Sequence, residues 1–320
     1  MSSLIKCISL DLRVKEKYIN SIVRRSNYFY KDYNVPKRNG GQRRISQASP
    51  ELKTLQYWIK ANILSLMPIS RGAFAYNKGN SIKKHVAFHK DAYFIFHTDI
   101  QDFFPSITSE HLATVLTANR SKIEAAGLWF DDMLDVISSV CFRHNRLCIG
   151  TVSSPTICNI IMYSFDEYFV DYCNSHNWKY SRYADDIYIS SREYLPNSLQ
   201  NEVNQKLHEM GFSPNDNKTW FCSKKSQRRI TGLILTENGR ISVGMEKRLG
   251  IKKMIYDRIV HGRGDPNVIL GNLAFLKDIE PDVYDRLLIK YTVYCDGDII
   301  VAIKSGQKPN SIAEIDLPHI

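Results

Sequence analysis

"YSRYADDIYIS", residues 180–190, sets two aspartates, Asp185 and Asp186, between residues that favour strands: Tyr180, Tyr183, Ile187, Tyr188 and Ile189. Aspartate is depleted in strands and starts turns well. The stretch therefore reads as a β-hairpin with a carboxylate pair at its tip, which is either an ordinary solvated turn or the holder of a cation. Upstream, "YFIFHT" (93–98) reads as a buried strand that runs into "DIQDFFPSI" (99–107), so Asp99 stands at a strand end. From Ser154, as N-cap with Pro155 at the first helical position, residues Ile157, Ile160, Ile161, Phe165, Tyr168, Phe169 and Tyr172 keep a 3.6 period, which predicts one long amphipathic helix packed on a sheet. A helix at 197–210 carries Leu199, Val203, Leu207 and Met210 on one face and ends at Gly211.

The order β, α, β-hairpin, α, β predicts an α+β fold with a ferredoxin-like, split βαβ core. In such a sheet the Asp99 strand can lie beside the hairpin. Three carboxylates then crowd one rim and raise one another's pKa unless a cation neutralises them. Oxygen ligands without His or Cys select a hard ion such as Mg²⁺, and two such ions suit phosphoryl transfer.

The flanks are basic and helical. Lys and Arg outnumber Asp and Glu 43 to 33 over 320 residues, a net charge of +10 that suits a polyanionic partner, nucleic acid first. Residues 1–33 read as helical and end in the aromatic cluster Tyr28, Phe29, Tyr30 and Tyr33. Gly40-Gly41 follows at a hairpin turn, surrounded by Lys37, Arg38, Arg43 and Arg44. After the core, "TWFC", "RITGLILT" and "RISVG" read as short strands, with Asn238-Gly239 as a two-residue turn, and the pattern beyond about residue 245 is helical until "HGRGDP" breaks it at 261–266. The last dozen residues read as weakly ordered. Seven cysteines without C-x-x-C spacing argue against structural zinc and a disulfide framework, and fit a reducing cytoplasm. The start lacks the apolar core of a signal peptide, and no apolar run approaches a membrane span, so no membrane partner is expected.

"FHTDIQDFFPSI", the "SSP" turn that opens a helix and "RYADD" on a hairpin, in that order, resemble the reverse transcriptases, and among them the retron-type bacterial enzymes. The resemblance implies a right-hand polymerase: an N-terminal helical extension (1–34), fingers (35–92 and 108–150), a ferredoxin-like palm (93–107 and 151–236) and a helical thumb (237–320). It implies Asp99, Asp185 and Asp186 as ligands of two Mg²⁺ ions, with the carbonyl of Ile100 assisting. Phe104 matches the aromatic gate that clashes with a ribose 2′-OH and so selects deoxynucleotides. Gly150 and Ser153 belong to a motif that frames the nucleotide, in which Ile149 replaces the usual Gln. Lys218, in "GFSPNDNKT" (211–219), is the implied general acid or charge partner for the leaving pyrophosphate. Arg43 or Arg44 is expected near the triphosphate.

The retron type is carried by shorter elements. His85 in "SIKKHVAF" (81–88) stands where these enzymes have Asn-Ala-x-x-His, and Thr231-Gly232 in "ITGL" (230–233) where they have Val-Thr-Gly. These residues are expected at the nucleic acid. So are Lys247, Arg248, Lys252 and Lys253, which fall within two helical turns and suit the phosphates of an A-form duplex. The length after the palm leaves room for a thumb but not for an RNase H, protease or endonuclease domain. The implied function is RNA-directed DNA synthesis on a dedicated structured non-coding RNA, with dNTPs as substrates. Priming from a guanosine 2′-OH would give a branched RNA–DNA hybrid (msDNA), in an antiphage defence unit with an effector protein. The alternatives are another short bacterial reverse transcriptase (diversity-generating, abortive-infection or group II-like) or a non-catalytic RNA-binding scaffold of the same fold. A nucleotide cyclase of ferredoxin-like fold could also use paired aspartates, but needs neither basic fingers nor a thumb.

Overall fold

A computed structural model describes residues 3–37, 40–295 and 298–305; Arg38 and the last dozen residues, named above, lie outside them. The chain forms two compact units, one of residues 1–81 with 93–221 and one of residues 82–92 with 222–320.

The first unit begins with helices Leu4–Leu12 and Glu16–Arg24. Tyr30 and Tyr33, read above with the helical segment, lie instead in strand β1 (Tyr30–Pro36), which pairs antiparallel with β2 (Gln42–Ala48) across the Gly40-Gly41 turn. Aromatic residues suit a pleated, half-buried surface, and both turn glycines take the positive φ (83° and 79°) that a tight hairpin needs. Helix Pro50–Asn62 follows, with the Ser49 hydroxyl accepting from the Leu52 amide.

The centre of the unit is a four-stranded sheet of β3 (Phe94–Asp99), β4 (Lys179–Tyr183), β5 (Asp186–Ser191) and β6 (Trp220–Cys222), in the order β4-β5-β3-β6. That is the strand order of a split βαβ sheet. Helices lie between β3 and β4, and helix Ser198–Glu209 between β5 and β6. The single helix expected from Ser154 is two, Ser154–Ile161 and Tyr163–Ser175, separated at Met162 where ψ opens to 1°. Both halves bury their apolar residues, so the 3.6 period runs through the break without revealing it. The N-cap is Ser153 rather than Ser154.

Under the hairpin lies a charge with no access to solvent. Arg182 is 0% exposed. Its Nε donates to Asp166 Oδ1 (2.8 Å) and its Nη2 to Asp166 Oδ2 (2.6 Å) and Asn159 Oδ1 (3.2 Å), while Nη1 donates to the Ala184 carbonyl (2.9 Å). The Tyr180 hydroxyl also donates to Asp166, at 2.6 Å. A buried ion is tolerated only when its donors and acceptors are met in this way.

The second unit holds a sheet of β7 (Arg228–Ile230), β8 (Leu233–Leu235) and β9 (Ile241–Ser242) beside helices Ile82–Phe88, Met245–His261, Pro266–Ile279, Pro281–Thr292 and Ile299–Ser305. "RITGLILT", read as one strand, is the β7–β8 hairpin. Thr231 (φ 44°) and Gly232 (φ 85°) form its two-residue turn, since both central residues of a type I′ turn take positive φ. Asn238-Gly239 lies in the β8–β9 connection, but not as a two-residue turn: Leu235 pairs with Ile241, the Thr236 amide donates to the Arg240 carbonyl, and only Gly239 takes positive φ. Gly262 in the left-handed region ends the long helix where "HGRGDP" breaks the pattern.

Removing one partner of the buried pair leaves the other uncompensated. Asp166→Ala should therefore cost about 3–5 kcal/mol of unfolding free energy, read from urea denaturation. A loss under about 1 kcal/mol would mean that water reaches the guanidinium.

Candidate active site

The antiparallel register sets Asp99 directly opposite Asp186 and Tyr183 opposite Asp186 on the other side. That leaves Ala184 and Asp185 as the two-residue turn at the hairpin tip. Ala184 has φ 59°, a region where a non-glycine residue costs about 1–2 kcal/mol, and its carbonyl is held by Arg182 from below. The Ile100 amide donates to the Asp185 carbonyl at 2.9 Å, which ties the hairpin tip to the end of β3. The three aspartates foreseen from sequence thus arrive at one rim by register and turn geometry.

Their side chains do not all face the same way. Asp99 and Asp185 line a cleft of about 740 Å³; Asp186 does not. Asp186 Oδ1 lies 2.8 Å from His97 Nε2, and His97 Nδ1 lies 2.9 Å from the Lys218 carbonyl. The carbonyl only accepts, so Nδ1 is the nitrogen that donates to it. His97 is buried and stacks on Trp220, with ring centroids 4.9 Å apart. Lys218 Nζ donates to both oxygens of Asp99, each at 2.8 Å, and Asn215 Nδ2 to Oδ1 at 3.2 Å. Among the described residues no three of these groups converge on one point as a ready ion cage.

The electrostatics call for a cation there. Desolvation, then the charges of Asp186 and Asp99, push the Asp185 carboxyl up from 3.8 to about 6. The Lys218 ammonium already lies against Asp99 as a positive charge. The donors facing the cleft are carboxylate oxygens, the set that suits hard divalent ions, so the residues fit such an ion at Asp99 and Asp185. Ile100 lines the cleft, its side chain buried.

The remaining lining explains several sequence readings. Asp102, at φ 45°, turns the chain so that Phe103 enters the core while half-buried Phe104 faces the cleft. Gly150 (φ 104°) also lines it; a Cβ there would come within 2.7 Å of Ile45 Cγ2, and the neighbouring Ile149 carbonyl accepts from the Ser46 amide. Ser153 does not line the cleft: as N-cap it is fully buried, and Thr151, Ser154 and Pro155 face the cleft instead. Arg43 and Arg44 both reach the cleft but differ. Arg44 is paired with Asp32 at 2.7 Å, and hydrogen bonds from Arg44 and Ser46 hold that carboxyl well below the usual range. Arg43 makes no ion pair among the described residues. Lys37, read above at the basic hairpin, also lines the cleft, as do Gln42, Tyr76 and Asn215; Gln42, Tyr76 and His97 were not singled out in the sequence, because no spacing connects them to the aspartates. Desolvation, with Cys158 and Asp185 next, pushes the Tyr76 phenol up to about 12, so it is neutral.

In the second unit, His85 is fully buried, and its Nδ1 lies 3.2 Å from Thr231 Oγ1. The two elements that carried the retron resemblance therefore touch, and His85 braces the strained Thr231-Gly232 turn. Arg248 is engaged inside this unit, paired with Glu280 and donating to Ser242 Oγ at 3.0 Å, and Lys247 donates to Asn272. Lys252 is half-buried and Lys253 exposed. The four cations do not form one outward face.

Comparisons with known proteins point to one family. The profile of the reverse transcriptase (RNA-dependent DNA polymerase) family matches residues 35–235. The chain is 32% identical over 277 residues to the retron Ec83 reverse transcriptase of Escherichia coli, covering 82% of this chain and 86% of that one. It is 30% identical over 274 residues to the retron Ec73 enzyme of the same organism, with the same coverage. An apo telomerase from Candida tropicalis shares the fold at a TM-score of 0.50 and 11% identity, over 82% of this chain and 57% of that one. The chain belongs to the reverse transcriptase family, on its retron branch, a family of RNA-directed DNA polymerases whose members use divalent metal ions. No helix among the described residues is long and apolar enough to cross a membrane.

An acid whose folded pKa lies above its unfolded value weakens the fold as pH rises between the two. The unfolded chain releases the proton of Asp185 near 3.8, the folded chain only near 6. In EDTA, Asp185→Asn should therefore melt higher than the parent above pH 6, by the equivalent of at most about 3 kcal/mol, and like it below pH 4. A parent that is the more stable of the two at pH 7.5 would contradict the charge crowding.

Proposed function

We propose that the chain copies a dedicated structured non-coding RNA into DNA, using dNTPs and two Mg²⁺ ions, with the 2′-OH of a guanosine in that RNA as primer. The product is then a branched RNA–DNA hybrid. The observation that carries the polymerase chemistry is that Asp99 and Asp185 face one cleft together with Phe104, Arg43 and Lys218. The retron details rest on the relatives and on the contact between His85 and Thr231.

Divalent ions held by Asp99 and Asp185, with the Ile100 carbonyl assisting, would activate the attacking hydroxyl and stabilise the leaving pyrophosphate. Asp186, fastened to His97, orients the hairpin tip and adds negative charge behind it. Phe104 forms the wall beneath the sugar and excludes a 2′-OH. Arg43 meets the triphosphate, while Arg44 holds the β1–β2 hairpin through Asp32. Lys218 rests on Asp99 in the free enzyme and serves the pyrophosphate, as charge partner or proton donor, once Asp99 has another cation. Gly150 gives the nucleotide close access to the backbone.

The first unit then comprises fingers and palm with the N-terminal extension, and the second the thumb. Lys252 and Lys253 are the thumb cations for duplex phosphates; Lys247 and Arg248 support them from within. His85 acts on RNA indirectly, by fixing the Thr231-Gly232 turn. The retron resemblance is the support for a cytoplasmic setting, in a defence unit with an effector protein.

Nucleic acid that co-purifies with the protein should contain one abundant structured RNA joined to DNA, seen by sequencing with and without RNase. Only bulk cellular RNA, with no attached DNA, would overturn the dedicated template. On a primed RNA, Asp185→Asn should abolish extension while retaining RNA binding. Phe104→Ala should lower the ratio of kcat/KM for a dNTP over its rNTP by about tenfold or more. An unchanged ratio would leave Phe104 as a packing residue.

A further inference from the structure

Residues 70–77 form no helix or named strand, yet they are pinned at almost every step. The Arg182 amide donates to the Gly72 carbonyl and the Phe74 amide to the Arg182 carbonyl, both at 2.8 Å. Asn77 Nδ2 donates to the Ala73 carbonyl (2.6 Å) and Asn159 Nδ2 to the Ala75 carbonyl (2.9 Å). Gly72 is obligatory, because a Cβ would come 2.9 Å from the Tyr180 ring. Ala73 and Ala75 are buried. Between the clamps at Ala75 and Asn77, Tyr76 stands with φ 64° and 54% exposed, and it lines the same cleft as Asp99 and Asp185.

A bulky residue in the left-handed region costs of order 1–3 kcal/mol and persists only where its surroundings impose it. Here the segment is held by the backbone of Arg182 and by Asn159, whose Oδ1 accepts from the same guanidinium that holds the Ala184 carbonyl beside Asp185. Tyr76 and Asp185 are thus referenced to one rigid, fully buried point. The cleft otherwise divides its work: carboxylates and cations for phosphates and ions, Phe104 for the sugar. A flat, half-exposed, neutral ring in that company offers what the others do not, a face for a base.

We propose that Tyr76 is a substrate-contacting residue on which a nucleobase stacks at the reacting end of the RNA–DNA substrate. This rests on the polymerase reading above. The base belongs either to the template strand or to the primer end, which share the chemistry and are separated by experiment.

The test uses the full chain with an RNA template annealed to a DNA primer. One arm carries 5-iodouridine at the template position that faces the incoming nucleotide; the other carries 5-iodo-deoxyuridine at the primer 3′ end. After irradiation, crosslinked peptides are mapped by mass spectrometry. The expected result is a crosslink at Tyr76 from one arm, which names the strand and requires no turnover. Stacking on one base is worth a change of roughly tenfold or more in kcat/KM for the dNTP in Tyr76→Ala, and Tyr76→Phe should keep both rate and crosslink. Tyr76→Gly relieves the backbone strain, so it should melt at or above the parent temperature while losing rate. That combination separates substrate contact from a structural role. The proposal is overturned if neither arm crosslinks Tyr76, if Tyr76→Ala keeps kcat/KM within twofold, or if Tyr76→Phe loses as much as Tyr76→Ala. A parent that extends no primer on any RNA would instead sink the polymerase reading, with the crosslink still deciding the role of Tyr76.

Discussion

Carboxylates on neighbouring strand ends repel, and the register that pairs Asp99 with Asp186 leaves this chain no way to separate them. Much of what surrounds the hairpin answers that constraint. Lys218 covers both oxygens of Asp99, His97 takes an oxygen of Asp186, and Asp185 is left with its acidity weakened. The charge is shared out among neighbours rather than removed. A site that stores unfavourable negative charge in a cleft also lined by cations is prepared for a positive ion and an anionic substrate together.

Holding that arrangement requires a rigid base. Arg182 supplies it from inside the sheet, at the cost of burying a guanidinium and its Asp166 partner. Replacing such a pair with apolar residues can be neutral or stabilising in other proteins, so stability alone does not account for it. Its hydrogen bonds reach the turn before Asp185 and, through its own backbone and Asn159, the strained segment at Tyr76. Ala184 and Tyr76, two positions of non-glycine left-handed backbone, are thus both tied to one side chain and its immediate partners. Strain gathered in this way around a cleft is a mark of function rather than of folding.

The aspartates, the sheet order and the hairpins at Gly40-Gly41 and Asn238-Gly239 were legible in the sequence because each depends on local chemistry: turn residues, period-2 strands and a strand-end carboxylate. Phe104 was legible through its place in a motif, and its exposure follows from the turn at Asp102. Other features depend on distant pairing and were not. Nothing within reach of His97 in sequence announces Asp186, and Arg182 reads as one more basic residue until Asp166 and Asn159 close around it. The break at Met162 was hidden because both half-helices keep an apolar face. The strand at Tyr30 was masked by its aromatic neighbours and needed its partner in β2. The cations Lys247 and Arg248 looked like surface charge because Asn272 and Glu280, their partners, are more than 20 residues away.

The central claim is that Asp99 and Asp185 form a divalent-ion site now covered by Lys218. Crystals of the protein soaked in Mn²⁺, with anomalous diffraction recorded, address it most directly. An anomalous peak within about 2.0–2.6 Å of oxygens from both carboxylates, with Lys218 Nζ drawn off Asp99, is the predicted result. A Lys218 still bonded to both Asp99 oxygens, with no peak in the cleft at saturating Mn²⁺, would contradict it.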